Sequence, residues 1–257
     1  MSAQRPAPTP GEDPDDAVPG PGARPSIGPR RVGHKGADLI EPGNTLASFD
    51  AALAHGVEMI ELDVLSERPD GSGPLLVAHD HEHIAHGARL PFEQALAHLA
   101  GERFAGIELD VDVKLPGYEL RVVAALREHG LIERTLISGM FPEALARIRA
   151  AEPGLRLGWS VPRVRRDYTT TMLTAIPALA ILTGYRATLP GRVRTALRAG
   201  RYDAIMAHWR VVTKALVRAV HEAGGELYVW TVDDAARIAK LSAMGVDGII
   251  TNDPRLF

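Results

Sequence analysis

Alternating strand-like and helix-like segments are the feature that most restricts the fold of this chain. Eight short runs rich in β-branched residues or leucine are each followed by a helical pattern, at residues 31–34, 59–65, 107–113, 135–138, 155–161, 203–206, 226–230 and 248–251. Eight such units in about 230 residues predict an α/β fold, a (β/α)8 TIM barrel. An open doubly wound sheet is the alternative, but no G-x-G-x-x-G turn follows any of these runs.

Three regions depart from this repeat. Residues 1–29 hold eight of the 19 prolines, which predicts a disordered tail and leaves one domain at 30–257. Turn residues at 69–74, followed by an apolar run at 75–78, predict a hairpin insertion after strand two. The apolar, proline-containing stretch 168–182 lies among arginines and is either a bent barrel helix or a lid. The second interpretation predicts peripheral membrane contact through 168–194.

Composition excludes several classes of protein. The chain has no cysteine, so thiolate zinc sites, disulfides and cysteine nucleophiles are excluded. A net charge of −3 gives no general attraction to nucleic acid, and no apolar run approaches the roughly 18 residues of a membrane span. The first 29 residues lack the apolar run of a secretory signal, so we expect a cytoplasmic protein. A cytoplasmic protein in peripheral contact with the membrane is the alternative. The oligomeric state is left open.

Carboxylates cluster on two neighbouring strands of the predicted barrel. Side chains two apart on a strand share a face, so Glu61 and Asp63 both point into the barrel. The next strand repeats this spacing with four polar residues, which are Glu108, Asp110, Asp112 and Lys114. Buried carboxylates are costly unless paired or metal-bound, and an all-oxygen cluster favours one divalent cation, Mg²⁺ or Ca²⁺, over zinc. A salt-bridge network between the strands is the alternative.

Two histidines and two lysines lie at the same predicted rim. His34 and His79 each end a strand-like run, where an imidazole pair would serve as general base and general acid. Lys35 and Lys114, together with the cation, would neutralise a phosphate ester and the charge that develops when phosphorus is attacked. These groups together indicate metal-assisted cleavage of a phosphodiester.

In this order and spacing, seven short motifs resemble the glycerophosphodiester phosphodiesterase family of (β/α)8-barrel enzymes. The motifs here are His34-Lys35-Gly36, Asn44-Thr45, Glu61-Leu62-Asp63, His79-Asp80, Asp112-Val113-Lys114, Trp230-Thr231-Val232 and the Gly-Val-Asp-Gly-Ile-Ile-Thr-Asn run at 245–252. The resemblance covers residues 31–254.

The resemblance implies a role for each matching residue. The cation ligands would be Glu61, Asp63 and Asp112, and the acid/base pair would be His34 and His79. The residues that contact substrate would be Lys114 and Lys35 at the phosphate and Trp230 at the alcohol portion. The implied reaction releases glycerol 3-phosphate and an alcohol from a deacylated phospholipid.

Three positions depart from the family pattern. Lys35 replaces an arginine, Asp112 a glutamate, and Gly43 the glutamate ahead of Asn44. Lysine keeps the charge but loses the planar grip of arginine on a phosphate. Asp-x-Lys also resembles phospholipase D toxins, so a lysophospholipid is an alternative substrate, and a phosphate-binding barrel without turnover is a further alternative. Direct attack by water and initial attack by the glycerol 2-hydroxyl both stay open.

Overall fold

The computed structural model describes residues 28–86, 89–163 and 172–257, and side chains throughout these ranges except at 172–180. Residues 1–27 of the predicted disordered tail lie outside the described residues, so the tail stays a prediction. The domain boundary at residue 30 also stays a prediction.

Parallel strands form a closed barrel. Along the described chain the strands are β1 (Arg30–Gly33), β2 (Met59–Ser66), β3 (Leu75–Val77), β4 (Glu108–Val113), β5 (Thr135–Gly139), β6 (Arg156–Val161), β7 (Ala204–His208), β8 (Glu226–Trp230) and β9 (Gly248–Thr251). The sheet order is β1-β9-β8-β7-β6-β5-β4-β2, and β1 pairs with β2 to close the ring. All eight predicted strands are present, with ends within two residues, which confirms the TIM barrel.

The ninth strand belongs to the predicted hairpin. β3 runs antiparallel to β2, with Val77 opposite Val64 and Leu75 opposite Ser66. The connecting loop places Gly71 and Gly73 at φ values of 86° and 78°, a conformation that glycine adopts without strain. The hairpin returns the chain to the barrel mouth, where the Ala78 amide donates to the Asp63 carbonyl at 3.1 Å.

Helices surround the barrel. The described helices are α1 (Leu46–Ala54), α2 (His81–His86), α3 (Phe92–Leu99), α4 (Glu119–Glu128), α5 (Pro142–Ala151), α6 (Met172–Arg198), α7 (Lys214–His221) and α8 (Ala235–Ala243). The stretch predicted as a bent helix or a lid is helical from Met172, and residues 164–171 lie outside the description. Further along α6, Leu189 and Val193 are fully buried, as in a barrel helix. None of the described helices is long and apolar enough to cross a membrane.

Strand alternation divides the side chains between two cores. On β2, Leu62 and Val64 are fully buried among the apolar residues beneath the helices. Inside the barrel a smaller apolar layer contains Met59, Met206 and Tyr228. This layer separates the polar groups of the two ends of the barrel.

The amino-terminal end of the barrel is closed by ion pairs. Arg156 lies 2.8 Å from Glu108 and 2.5 Å from Glu226. Glu108 therefore shares the inner face with Asp110 and Asp112, as predicted, but it is not among the acids at the mouth. It begins β4, so it lies at the opposite end of the strand from Asp112.

Candidate active site

Three carboxylates converge at the carboxyl ends of the strands. Glu61 and Asp63 lie on β2 and Asp112 on β4, and the parallel register sets Asp112 directly beside Asp63. One oxygen from each residue lies within 4.8 Å of the others. The Asp63 side chain is fully buried and that of Glu61 is 6% exposed. The predicted cluster is therefore present.

Lys114 compensates part of this charge. Its ammonium lies 2.5 Å from Asp63 Oδ1 and 2.5 Å from Asp112 Oδ2. Burial opposes the charged form, but Asp112 and Asp63 outweigh it and raise the pKa of Lys114 well above its ordinary value. Burial likewise disfavours the Asp63 carboxylate, yet Lys114 holds the pKa of Asp63 well below the usual range.

Glu61 is the carboxylate that Lys114 does not neutralise by contact. Its Oε2 accepts a 2.8 Å hydrogen bond from the Lys35 amide and lies 3.8 Å from His34 Nε2. Burial, reinforced by the neighbouring Asp63 carboxylate, raises the pKa of Glu61 well above its ordinary value. Apart from its ion pair with Lys114, Asp63 Oδ1 has no hydrogen-bond partner among the described residues. The buried carboxylates therefore exceed the positive charge that Lys114 supplies. A hard divalent cation explains this excess better than a salt-bridge network alone.

Asp110 is a fourth buried acid on the same face. It pairs in register with Glu61, one step deeper in the barrel than the Asp63 and Asp112 pair. Only 1% of the residue is exposed, and burial raises the pKa of Asp110 to about 7. Asp110 is not among the three residues whose oxygens converge, so it lies beneath the cluster.

His34 is held in one orientation at the end of β1. Its Nδ1 lies 2.6 Å from Asn252 Oδ1, while Asn252 Nδ2 donates to Asp233 Oδ2 at 2.7 Å. Because the amide nitrogen of Asn252 faces Asp233, its oxygen must accept from His34, so the neutral imidazole carries its proton on Nδ1. Burial lowers the pKa of His34. Its unprotonated Nε2 then faces the carboxylate cluster.

His79 lies on the rim of the same end of the barrel. It lies two residues after the end of β3, its side chain is 48% exposed, and its Nδ1 lies 3.0 Å from Asp80 Oδ2. The second predicted imidazole is thus more accessible than the first. Sequence reasoning included Asp80 in a motif but gave it no role, and the structure shows that it orients His79.

Asn44 and Lys35 are supported by an unusual backbone. Both are non-glycine residues in the left-handed region, with φ of 60° and 51°. In this conformation Asn44 Nδ2 donates to Asp63 Oδ2 at 2.8 Å, and its Oδ1 accepts from the Asp63 amide at 3.1 Å. Asn44 therefore fixes the position of the most buried carboxylate, a contact that the motif pattern alone does not reveal.

Asp38 occupies the space that opens where the family pattern has glutamate. It accepts a 2.8 Å hydrogen bond from the Gly43 amide, and its carboxylate lies 3.6 Å from Lys35 Nζ. A Cβ added at Gly43 would lie 2.4 Å from Asp38 Oδ1 and 3.0 Å from Lys35 Cβ. In the family pattern the carboxylate would come from residue 43, whereas here it comes from Asp38, five residues earlier. Comparison of the motifs therefore missed Asp38.

This close approach makes residues 38 and 43 interdependent. We expect Gly43→Glu to weaken turnover about 10-fold to 100-fold, because overpacking of about 1–3 kcal/mol would displace Asp38 and Lys35. In the double variant Asp38→Gly with Gly43→Glu, the new carboxylate has room beside Lys35, so activity should recover. Kinetic constants of the two single variants and the double variant measure this coupling. Additive losses would show that the two positions act independently.

Trp230 ends β8 at the same end of the barrel. Its Nε1 donates to the Met206 carbonyl at 3.0 Å, and its ring lies edge-on to His208 with centroids 5.0 Å apart. With the polar group of the indole satisfied, the half-buried ring offers apolar surface at the mouth.

Comparison with known proteins agrees with this geometry. The sequence profile of the glycerophosphoryl diester phosphodiesterase family matches residues 109–256, more than half of the chain. This chain belongs to that family. The match includes Asp112, Lys114 and Trp230, whereas His34, Glu61, Asp63 and His79 precede it.

Similar proteins share the family name and the fold. A glycerophosphodiester phosphodiesterase of Caldanaerobacter subterraneus subsp. tengcongensis is 26% identical, over 87% of this chain and 93% of the relative. The crystal structure of a glycerophosphodiester phosphodiesterase from Parabacteroides distasonis matches with a TM-score of 0.68 at 19% identity, covering 88% of this chain and 93% of that one. An Oleispira antarctica phosphodiesterase in complex with the product sn-glycerol-3-phosphate matches with a TM-score of 0.63 at 18% identity, covering 88% and 94%.

Proposed function

We propose that this enzyme hydrolyses glycerophosphodiesters to glycerol 3-phosphate and an alcohol, with one divalent cation, Mg²⁺ or Ca²⁺, held by Glu61, Asp63 and Asp112. The observation that carries the proposal is the convergence of these carboxylates beside His34 and Lys114. Family membership supports the reaction class, and the fold is shared with a phosphodiesterase that binds sn-glycerol-3-phosphate.

His34 is the proposed general base and His79 the proposed general acid. The attacking oxygen, from water or the glycerol 2-hydroxyl, forms the new bond to phosphorus and gives its proton to His34 Nε2. The bond from phosphorus to the alcohol oxygen breaks, and the leaving oxygen takes a proton from His79. If the 2-hydroxyl attacks, the resulting cyclic phosphate is opened by water with the proton transfers reversed. A bound cation supplies charge stabilisation at the phosphoryl oxygens.

The two lysines and Trp230 orient the substrate in this proposal. Lys114 is an ammonium with three N–H groups, and its two carboxylate partners leave one N–H to bind a phosphoryl oxygen. Lys35 supplies a second positive charge, held in place by Asp38. Trp230 offers its apolar face to the alcohol portion.

Hydrolysis of glycerophosphocholine tests the proposal. We expect Mg²⁺ or Ca²⁺ to support release of glycerol 3-phosphate, EDTA to stop it, and His34→Ala to lose most of it because the base is removed. Phosphorus NMR measures the products and reveals any cyclic phosphate. Equal release by wild type and His34→Ala would contradict the assignment. Ligand-induced thermal stabilisation without product would favour a binding barrel, and cleavage of lysophosphatidylcholine alone would favour the lipid substrate.

Peripheral membrane contact through 168–194 also stays a proposal. Ile181 is 72% exposed, which supports it. Two of the arginines in this segment are engaged within the chain: Arg186 donates to the Arg210 carbonyl at 2.6 Å, and Arg194 lies 3.2 Å from Glu222. Sedimentation with anionic liposomes at low salt measures such contact, and a protein that stays in the supernatant would contradict it.

A further inference from the structure

A second group of metal-ligating side chains lies on the rim, outside the carboxylate cluster. Residues 79–86 contain four of the ten histidines of the chain. Two of these imidazoles converge on one carboxylate: His79 Nδ1 lies 3.0 Å from Asp80 Oδ2, and His83 Nδ1 lies 2.9 Å from Asp80 Oδ1. One ligand atom from each of these three residues lies within 4.8 Å of the others. We call this group the rim triad.

We propose that the rim triad, His79, Asp80 and His83, is a binding site for a late first-row transition-metal ion such as Zn²⁺, and that an ion bound there inhibits the enzyme. Two imidazoles and one carboxylate form a nitrogen-rich donor set, which Zn²⁺ prefers and Mg²⁺ or Ca²⁺ does not. The carboxylate cluster has the opposite preference because all of its donors are oxygen. The two sites therefore select different ions.

The geometry of the rim triad is close to that of a zinc site. Ligand atoms on a tetrahedral Zn²⁺, bound at about 2.0–2.1 Å, lie about 3.3 Å apart. The nitrogen to oxygen distances of 2.9 Å and 3.0 Å are near this value, but they lead to different oxygens of Asp80. Small rotations of the exposed side chains are therefore needed to bring one oxygen and both nitrogens around a single ion. The backbone already sets the spacing, because the His83 amide donates to Asp80 Oδ1 at 2.8 Å.

The rim triad is also open to an incoming ion. The exposed fractions of the side chains are 48% for His79, 44% for Asp80 and 62% for His83, so water can complete the coordination. Among the described residues Asp80 forms no ion pair with lysine or arginine, so no fixed cation competes for it. A metal ion would bind the Nδ1 atom of each neutral imidazole, and the single ring proton would then lie on Nε2.

Inhibition follows from the role of His79, and this part rests on the proposed function. An imidazole whose Nδ1 is bound to a metal cannot become imidazolium, because imidazolium carries protons on both nitrogens. His79 would then be unable to supply the proton that the leaving oxygen needs. The ion would act by occupying the general acid without entering the carboxylate cluster.

Zinc binding by matched variants tests the site. The full chain is titrated with Zn²⁺ in excess Mg²⁺ by calorimetry, using wild type, His83→Gln and His86→Gln as the control on the same helix. We expect His83→Gln to weaken Zn²⁺ binding by at least about 10-fold, with His86→Gln like wild type. Thermal unfolding verifies that His83→Gln is folded, since its side chain is exposed. Equal binding by folded wild type and His83→Gln would overturn the proposal.

Zinc inhibition of glycerophosphocholine hydrolysis provides the second readout. We expect Zn²⁺ to inhibit wild type and His86→Gln, and His83→Gln to keep its basal activity and resist inhibition. Inhibition of His83→Gln at the same Zn²⁺ concentration as wild type would overturn the inhibitory role. If no variant hydrolyses the substrate, the proposed function fails, while the calorimetric comparison still decides whether the rim triad binds the metal.

Discussion

Asp63→Asn is expected to lower kcat/KM for glycerophosphocholine by about 10³-fold or more while the barrel stays folded. Asp63 is fully buried, is held by Asn44, and contributes an oxygen to the carboxylate cluster. Asparagine has nearly the same shape but no charge, so the affinity for the cation and its charge stabilisation at phosphorus, worth several kcal/mol, would be lost. Steady-state kinetics across a Mg²⁺ titration measure the effect.

Asp110→Asn is the matched control for this experiment. It is the same substitution in a buried acid one step deeper on the neighbouring strand, outside the converging oxygens. We expect its kcat/KM to stay close to wild type. Burial raises the pKa of Asp110 to about 7, so between about pH 4 and pH 7 Asp110 is protonated in the folded protein and ionised in the unfolded chain. The free energy of unfolding of the wild type therefore falls as pH rises through this range. The variant should lack that loss in EDTA. An equal drop in activity in both variants would show that buried charge, and not cation binding, is what Asp63 supplies.

Alternation along a strand predicts the face on which each acid lies, but it does not give the height of the acid in the barrel. Alternation along a strand places Glu61, Asp63 and Asp112 inward, and the register confirms that they meet. Glu108 obeys the same alternation yet pairs with Arg156 at the opposite end. Position within a strand decides which end of the barrel a side chain reaches, so an acid that begins a strand cannot join those that end one.

The supporting contacts of the site were beyond sequence reasoning for a different reason. Asp38, Asn44 and Asn252 act from loops, where no periodicity relates one residue to another. The left-handed conformation of Asn44 is uncommon for a non-glycine residue, so the pattern gives no warning of it. Asn252 reaches His34 across 218 positions of sequence, a contact that exists only because β9 closes the barrel against β1.

Removal of the charge on Lys114 is expected to have the largest effect on stability. In Lys114→Met the carboxylates of Asp63 and Asp112 lose their common partner, and breaking a buried ion pair costs about 3–5 kcal/mol. Denaturant unfolding in EDTA measures this loss. Added Mg²⁺ or Ca²⁺ should restore part of it, because a bound cation supplies the missing positive charge and binds only the folded state.

Lys35→Met is the matched control, since both lysine side chains are 17% exposed and differ in their partners. Lys35 faces Asp38, which is 33% exposed, and a partly exposed pair contributes only about 0–1 kcal/mol. The two variants should therefore separate clearly in stability although both lose one positive charge at the mouth. If Lys114→Met is no less stable than Lys35→Met in EDTA, then the carboxylate cluster does not need compensation by a cation. The carboxylates would then carry no uncompensated buried negative charge. That charge is the physical basis for expecting a divalent ion at Glu61, Asp63 and Asp112.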